Sequence, residues 1–177
     1  MAMPFRDSPE FLRGREAELL VSAWCRDRGY YVIPTYDYSG PDGARAPMAQ
    51  GSKDAIILPD LQIAAAGCSK WVEVKVKARA SYTITTGQYA HGIGYRKWGA
   101  YRRIQVQTGC YVYLFVVELD RQMVLGESLD YLGPGYVYRG DKMDRGGMIF
   151  WPRQKFRMRQ LLHALPGLFR DKGGLPG

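Results

Sequence analysis

The stretch KWVEVKVKA, residues 70–78, decides the fold, because its apolar and charged residues alternate. An alternation with a period of two is typical of a half-buried β-strand. Glu73 and Lys75 therefore share one face of the predicted strand, and Val72 and Val74 share the other. A strand that simply turns its charged face to water would have the same pattern, so this pattern alone indicates no functional site.

A second predicted strand brings another carboxylate to Glu73. Residues 61–65, LQIAA, precede an Ala-Gly pair that suits a two-residue turn, and the resulting hairpin places Asp60 of a Pro-Asp pair directly opposite Glu73. Two adjacent carboxylates repel each other, so their proximity indicates a divalent cation between them. Asp54 is a rival for Asp60, because it also precedes an apolar strand. The hairpin register favours Asp60 and predicts a metal-dependent phosphodiesterase site.

Length and composition indicate one domain. The chain has 177 residues, of which 46% are hydrophobic, which suffices for one core and is too little for two. No apolar run is long enough to span a membrane, and the first ten residues lack the hydrophobic stretch of a signal peptide, so a cytoplasmic protein is expected. The cysteines at positions 25, 68 and 110 have no paired or metal-type spacing, which favours reduced thiols.

The charge distribution favours a polyanionic partner. The formal net charge is +8, and no aspartate or glutamate occurs between Val74 and Val117. The cations of this segment are Lys75, Lys77, Arg79, Arg96, Lys97, Arg102 and Arg103, and the interleaved aromatic residues are Tyr82, Tyr89, Tyr95, Trp98 and Tyr101. Such a segment is typical of a surface that lies along phosphates, with rings available for stacking. A solvated basic loop and helix would have the same composition.

Local signals predict the other elements. A helix begins at Pro9 and ends before Gly29. Strands are predicted over residues 30–36, 54–58, 111–118 and 148–151, a Gly- and Tyr-rich connection before a second helix over 96–108, a hairpin over 119–126 and a basic amphipathic helix over 156–169. The strand over 111–118 is almost purely apolar and is expected at the centre of a sheet, whereas 148–151 is expected at an edge. Residues 40–52 lack periodicity and are expected to form a loop.

Two stretches carry a family resemblance. They are GREAELLVSAWCRDRGYYVI, residues 14–33, and PDLQIAAAGCSKWVEVK, residues 59–75, within the order helix, strand, strand, strand, helix, strand. This combination resembles the PD-(D/E)XK nuclease superfamily, in particular its Holliday-junction-resolvase-like and phage-type members. In that family's frame, Gly14 precedes Glu18 by four residues and Gly29 follows Glu18 by eleven. The resemblance covers residues 11–118.

The resemblance implies the restriction-endonuclease-like fold, which is an α/β fold with a central mixed sheet. We expect a single nuclease-like domain over residues 1–177, with its core in residues 9–118 and a hairpin and basic helix in residues 119–177. The resemblance also implies a DNA nuclease, more specifically an endonuclease, that hydrolyses phosphodiester bonds with Mg²⁺ or Mn²⁺. A homodimer in a bacterial or phage-infected cell is expected by analogy.

The resemblance further implies roles for the residues of the predicted hairpin. Asp60, Glu73 and the backbone carbonyl of Val74 would hold the metal ion. Lys75 would orient or deprotonate the attacking water and offset the charge of the phosphate. The nearby metal ion would lower the pKa of Lys75.

Two arguments disagree about the carboxylate of the first helix. The family's frame nominates Glu18, which would hold a metal-bound water or a second ion. Helical spacing instead puts Glu16 on the apolar face, so Glu16 is the alternative. An ion pair with Arg15 or Arg103, without any part in catalysis, is compatible with either residue.

The remaining predicted site residues would contact DNA. Tyr101 and Gln105 lie one turn apart on the second helix, on a face that superfamily members often turn toward the active site. Core packing is the alternative for Tyr101. Ser39, in a Ser-Gly pair, matches a loop that lies near the substrate in resolvase-like members. The cations predicted to contact phosphates are Lys77, Arg79, Arg96, Lys97, Arg102 and Arg103.

Two functions of other classes remain open from the sequence. A nucleic-acid-binding protein could keep the same fold while its catalysis is weak or lost, and an assembly protein could merely carry a basic surface. His91 and His163 are too few and too isolated for a zinc site. The Gly-rich segment 91–99 lacks the strand-then-helix context of a nucleotide loop. A divalent metal ion is therefore the only cofactor expected.

Overall fold

The computed structural model describes residues 8–36, 48–50, 55–139 and 146–161. Residues 160 and 161 are described by their backbone alone. The helices are α1 (Pro9–Arg26), α2 (Tyr95–Thr108) and α3 (Leu129–Leu132). The strands are β1 (Tyr31–Pro34), β2 (Met48–Gln50), β3 (Ala55–Ile57), β4 (Leu61–Ala65), β5 (Cys68–Lys77), β6 (Ser81–Thr83), β7 (Gln88–Gly94), β8 (Val112–Glu118), β9 (Met123–Ser128), β10 (Tyr136–Tyr138), β11 (Met148–Pro152) and β12 (Arg157–Leu161).

Six of the strands form a central mixed sheet in the order β1-β4-β5-β8-β9-β12. Neighbouring strands run antiparallel, except that the two central strands, β5 and β8, are parallel. A parallel pair needs a long crossover, and here that crossover contains β6, β7 and α2. The expected central position of the apolar strand β8 is confirmed.

Two apolar layers cover the faces of this sheet. The layer under α1 consists of Ala17, Leu20, Val21, Cys25, Leu61, Ile63, Val72, Val74, Phe115, Val117 and Val124. The layer under α2 includes Trp71, Tyr101, Ile104, Leu114, Val116, Ile149 and Trp151. Because Val72 and Val74 belong to the first layer, the intervening Glu73 faces the second layer and α2. Each fully buried apolar side chain stabilises the fold by roughly 1.5–3 kcal/mol.

The ends of the two long helices follow their sequence signals. Ser8 Oγ accepts a hydrogen bond from the Phe11 N–H at 3.3 Å, which caps α1 at the predicted start. α1 ends at Arg26, and a turn leads from there to Gly29, whose φ is 80°. α2 ends before Gly109, whose φ is 68°. None of the helices in the described ranges is long and apolar enough to cross a membrane.

The hairpin of β4 and β5 has the predicted register. Leu61 pairs with Val72, so Asp60 stands opposite Glu73 one position further out. The two-residue turn between the strands includes Gly67 with a φ of 73°, a conformation that glycine adopts without strain. The prediction that this turn brings the two carboxylates to adjacent positions on one face is confirmed.

A second sheet, entirely antiparallel, occupies part of the chain for which a mere connection was predicted. Its order is β10-β11-β7-β6, so β11 lies inside it and the predicted edge position is wrong. The glycines that suggested a loop allow close approach of the strands instead. Gly92 lies opposite Phe150, and a Cβ at Gly92 would lie 2.3 Å from the carbonyl oxygen of Ile149.

The loop predicted over residues 40–52 is corrected in part. Its residues 48–50 form β2 and pair with β3, and β3 confirms the short strand expected at that place. Residues 40–47 and 51–52 lie outside the described part of the chain. β2 is only three residues long, which is too short for a periodic pattern that would predict a strand from the sequence.

The basic helix predicted over residues 156–169 is also corrected where it is described. Residues 157–161 form β12 on the edge of the central sheet, and residues 162–169 lie outside the described part of the chain. A strand is favoured because it turns two arginines toward one buried carboxylate across the sheet. Arg157 Nε lies 2.9 Å and Arg159 Nη2 lies 3.7 Å from Glu127 Oε2.

Candidate active site

A cleft of about 670 Å³ opens beside the C-terminal end of β5. Its walls come from β5, from the first half of α1, from the segment before β4 and from α2. The charged residues that line it are Glu10, Arg13, Arg15, Glu18, Asp60, Lys75, Lys77 and Lys97. Five of these are cations and three are carboxylates, so the cleft favours an anionic ligand.

Asp60 lies in the wall of this cleft and is 5% exposed. Its backbone carbonyl accepts a hydrogen bond from the Thr35 N–H at 3.0 Å, which anchors the start of β4 to the end of β1. Asp60 Oδ2 accepts a hydrogen bond from the Val74 N–H at 2.7 Å. Burial, together with the negative charge of Glu73, raises the pKa of Asp60 well above its ordinary range.

Glu73 lies beneath the cleft surface and is fully buried. Its Oε1 is paired with Lys75 and lies 3.0 Å from Lys97 Nζ, and its Oε2 accepts a hydrogen bond from the Tyr101 hydroxyl. Burial alone would raise the pKa of Glu73, but the two ammonium groups and the hydrogen bonds outweigh burial and lower it. Glu73 is therefore ionised and held in one orientation.

Lys75 brings a positive charge between the groups predicted to bind metal. Its Nζ pairs with Glu73 Oε1 and donates a hydrogen bond to the Val74 carbonyl at 3.2 Å. Burial alone would lower the pKa of Lys75, but the carboxylates of Glu73 and Asp60 outweigh it and raise the pKa. Lys75 is thus an ammonium in this arrangement, and the lowering expected from a nearby metal ion stays a prediction.

The donor set fits a hard divalent cation. Asp60 and Glu73 offer carboxylate oxygens from adjacent strands, and the Val74 carbonyl already contacts a positive charge. Oxygen ligands of this kind suit Mg²⁺ and Mn²⁺. Within the described ranges, no group of three or more His, Cys, Asp and Glu side chains could hold a metal ion. A metal ion here would therefore rely on two side chains and a backbone carbonyl.

On α1, the two candidate carboxylates differ in position. Glu18 lines the cleft together with Asp60, and its Oε2 lies 3.4 Å from Arg15 Nη1. Glu16 is not among the residues that line the cleft. Helical spacing places Glu16 beside Leu19, which is exposed, whereas Val21 and Ser22, one turn after Glu18, are buried. The geometry thus favours Glu18.

On α2, only part of the predicted set reaches the site. Lys97 and Tyr101 contact Glu73 directly. Gln105 Nε2 donates to Asp130 Oδ1 at 2.9 Å and Gln105 Oε1 accepts from a backbone N–H at the start of β8, so this amide joins elements away from the cleft. Arg102 pairs with the same Asp130.

The other predicted DNA contacts are dispersed. Lys77 lines the cleft, and Arg79 follows it two residues later on an exposed segment. Arg96 and Arg103 lie on α2 and are not among the lining residues. Ser39 lies outside the described residues.

Among the residues of the cleft wall that sequence reasoning did not assign to the site are Arg13, Arg15 and Tyr36. Arg15 stands three residues before Glu18, and this helical spacing, which places both on one face, was the signal that could have found it. Tyr36 had no comparable signal, because it enters the wall only through the pairing of β1 with β4. Burial, followed by the charges of Asp60 and Glu73, raises the pKa of Tyr36.

Comparisons with known proteins give a likeness of structure alone. No protein-family model matches the chain. No curated protein matches it either. Among solved structures, the Holliday junction resolvase of Archaeoglobus fulgidus, an archaeal hyperthermophile, is similar with a TM-score of 0.52 and 11% sequence identity, over 85% of this chain and 98% of that chain. A nuclease from a fusselovirus has a TM-score of 0.45 and 14% identity, over 89% of this chain and 90% of that chain.

The likeness to the resolvase bears on the fold. This chain has a mixed central sheet flanked by helices, and the hairpin of β4 and β5 reaches the centre of the sheet through β5. The fold predicted from the sequence is confirmed: the chain has the restriction-endonuclease-like fold.

Proposed function

We propose that this protein is a DNA nuclease that hydrolyses phosphodiester bonds with a divalent metal ion, Mg²⁺ or Mn²⁺, and that it acts as an endonuclease. One observation carries the proposal. Asp60 and Glu73 stand side by side and buried, with the ammonium of Lys75 against Glu73, at the edge of a cationic cleft. Burial of adjacent carboxylates is costly unless positive charge neutralises them.

The proposed metal ligands are Asp60, Glu73 and the carbonyl of Val74. When bound, a divalent ion supplies charge neutralisation at the scissile phosphate and a water of lowered pKa. The protein's own contribution is to hold these oxygens in place. Tyr101 and Lys97 fix the orientation of the Glu73 carboxylate, and the Val74 N–H fixes Asp60.

Lys75 is the proposed partner of the attacking water. Its Nζ lies next to Glu73 Oε1 and the Val74 carbonyl, so it is close to two of the three proposed metal ligands. As an ammonium, it donates hydrogen bonds, which orient the water and offset the negative charge of the phosphate. Glu18, in the same cleft, is placed to hold a further water molecule.

The cleft supports DNA as the substrate. Besides Lys75, the cations Arg13, Arg15, Lys77 and Lys97 line it. A surface that contacts several phosphates releases condensed counterions, so its affinity for DNA falls steeply as the salt concentration rises. The similar resolvase is named for its action on Holliday junctions, and a branched DNA is therefore a sensible substrate to include in a test.

A second candidate is a DNA-binding protein in which catalysis is weak or lost. The observation that favours it is the set of contacts around Glu73, whose carboxylate is already neutralised by two lysines and one tyrosine. Such a site keeps the fold intact without a metal ion. DNA binding that persists in EDTA, with no cleavage in Mg²⁺ or Mn²⁺, would support this candidate.

The test of the proposed function is cleavage of a circular plasmid and a four-way junction in Mg²⁺, in Mn²⁺ and in EDTA. The wild type should cleave only with a metal ion, and cleavage of the closed circle would establish an endonuclease. The variants Asp60→Asn and Lys75→Met should lose roughly 100-fold or more in rate. The matched control is Glu16→Gln, on α1 outside the cleft, which should stay within about twofold of the wild type. Equal cleavage by Asp60→Asn and the wild type would remove the assignment.

A further inference from the structure

The hairpin of β6 and β7 is built to hold its tip in a fixed shape. The four-residue turn between the strands ends at Gly87, whose φ is 64°. Thr83 Oγ1 donates a hydrogen bond to the Gln88 carbonyl at 2.7 Å and lies 2.6 Å from Thr86 Oγ1. A turn that is crosslinked in this way keeps the side chains around it in defined positions.

Two aromatic rings lie on this hairpin and remain open to solvent. Tyr82 and Tyr89 are directly opposite each other, with ring centroids 5.3 Å apart and planes at 66°. They are 58% and 55% exposed, and Ile84 at the tip is 90% exposed. The edge-to-face contact fixes the two rings but leaves more than half of their surface without a protein partner.

The second sheet carries no acidic side chain in the part of the chain that the structure describes. The turn of the hairpin contains neither Asp nor Glu. Glu118, at the end of β8, is buried and neutralised by Arg153, whose Nη2 lies 2.7 Å from Glu118 Oε2. Asp120 is an exposed acid, and its N–H donates to the Ala78 carbonyl at 2.9 Å, so it lies beside the segment that leads to the hairpin and not on the hairpin itself. Arg79 stands three residues before Tyr82 on an exposed segment. The charge of this surface therefore suits a polyanion.

The hairpin is connected directly to the candidate active site. Lys77 and Ala78 line the cleft, and Tyr82 follows Lys77 by five residues. Five residues span at most about 17 Å of extended chain. Measured along the helix axis of B-form DNA, that distance corresponds to roughly five successive phosphates of one strand. A nucleic-acid strand that leaves the cleft along this path would therefore reach the rings.

We propose that the β6–β7 hairpin binds unpaired bases of a single-stranded DNA segment, by stacking them on Tyr82 and Tyr89. Exposed rings beside cations are the combination that binds single strands, because every base has a face that stacks. Paired bases are stacked on one another inside a duplex and do not offer these faces. The inference rests on the proposed nuclease function and adds a preference for substrates with an unpaired segment beside the cleaved bond.

The test is fluorescence anisotropy with a labelled 20-nucleotide oligothymidylate and with a labelled duplex of the same length, in EDTA so that neither is cleaved. The double variant Tyr82→Ala/Tyr89→Ala should lose roughly tenfold or more in affinity for the single strand. Its affinity for the duplex should change by less than about twofold. The variant Tyr82→Phe/Tyr89→Phe keeps both rings and should bind the single strand like the wild type.

The matched control is Tyr31→Ala/Tyr111→Ala, since these tyrosines are 79% and 54% exposed and lie outside the second sheet, Tyr31 on β1 and Tyr111 immediately before β8. It should bind both probes like the wild type. An unchanged single-strand affinity of the alanine variant, an equal loss for duplex and single strand, or a loss in the phenylalanine variant would each overturn the inference. Asp60→Asn should bind the single strand normally without cleaving, so a failure of cleavage and a failure of this inference are distinguishable.

Discussion

At the scale of single residues, Glu73 shows what keeps this site in place. Its carboxylate has no exposed surface, and a bare charge at such a position would be costly. Lys75, Lys97 and Tyr101 offset that cost by direct contact. A divalent ion that binds Glu73 must share this carboxylate with two ammonium groups, so the same contacts that stabilise the site weaken its affinity for metal.

The variant Lys97→Met should therefore bind a divalent ion more tightly. Lys97 is partly exposed, so its pairing with Glu73 contributes on the order of 1 kcal/mol, which corresponds to roughly a three- to tenfold gain in Mn²⁺ affinity. Isothermal titration calorimetry measures this affinity without any substrate. Lys70→Met, at the other end of β5 and hydrogen-bonded to Tyr30, is the matched control and should bind like the wild type. A weaker affinity in Lys97→Met would show that the orienting contact of Lys97 matters more for ion binding than its competing charge, and would contradict this prediction.

The variant Tyr101→Phe removes one hydroxyl and keeps the buried ring. Because a charged acceptor then loses a hydrogen bond inside the protein, the free energy of unfolding should fall by roughly 1–3 kcal/mol. Urea denaturation in EDTA measures the change. Tyr111→Phe alters an exposed hydroxyl and should leave stability unchanged. Equal midpoints for both variants would show that the contact with Glu73 adds no stability.

At the scale of elements, local signals sufficed where one short stretch determines the structure. The Ala-Gly turn set the register of β4 and β5, and so brought Asp60 opposite Glu73. Elements determined by distant partners were not predictable in this way. The second sheet joins strands more than fifty residues apart, and β12 forms because Arg157 and Arg159 find Glu127 on β9. The contacts of Lys97 with the site depend on how α2 packs, which no spacing in the sequence reveals.

Gly92 on β7 tests the packing of the second sheet, and Gly99 in α2 provides the contrast. In Gly92→Ala, the new Cβ would lie 2.3 Å from the Ile149 carbonyl and 2.7 Å from Phe150 Cδ1. This overpacking should lower the free energy of unfolding by roughly 2–3 kcal/mol. Gly99, in α2, has no atom within 4 Å of such a Cβ, so Gly99→Ala should stabilise by about 0.5–1 kcal/mol. Chemical denaturation of both variants measures the contrast, and equal stability would contradict the pairing of β7 with β11.

At the scale of the whole molecule, a buried ionic cluster joins the two sheets. His91 Nε2 on β7 lies 2.6 Å from Glu118 Oε1 at the end of β8, and Arg153 pairs with the same carboxylate. Burial lowers the pKa of His91 against the opposing effect of Glu118. Burial alone would raise the pKa of Glu118, but the hydrogen bonds from Arg153 and His91, together with nearby positive charge, lower it.

This cluster predicts a loss of stability in mild acid. A histidine with a lowered pKa in the folded state binds its proton more readily when unfolded, so stability falls as the pH drops below the ordinary value of 6.5. Between pH 7.5 and 5.5 we expect a loss on the order of 1 kcal/mol from His91. His91→Gln should show a weaker pH dependence in urea denaturation, while His163→Gln should keep that of the wild type. An unaltered pH dependence in His91→Gln would contradict this role.

Asp60 and Glu73 should together hold one divalent ion, and a direct titration of Mn²⁺ into the protein tests this most directly. Calorimetry of the wild type, without DNA, should give one ion bound per chain through Asp60, Glu73 and the Val74 carbonyl. Asp60→Asn should lose at least roughly tenfold in this affinity, because it removes a charged ligand. An Asp60→Asn variant that binds Mn²⁺ as tightly as the wild type would contradict the account.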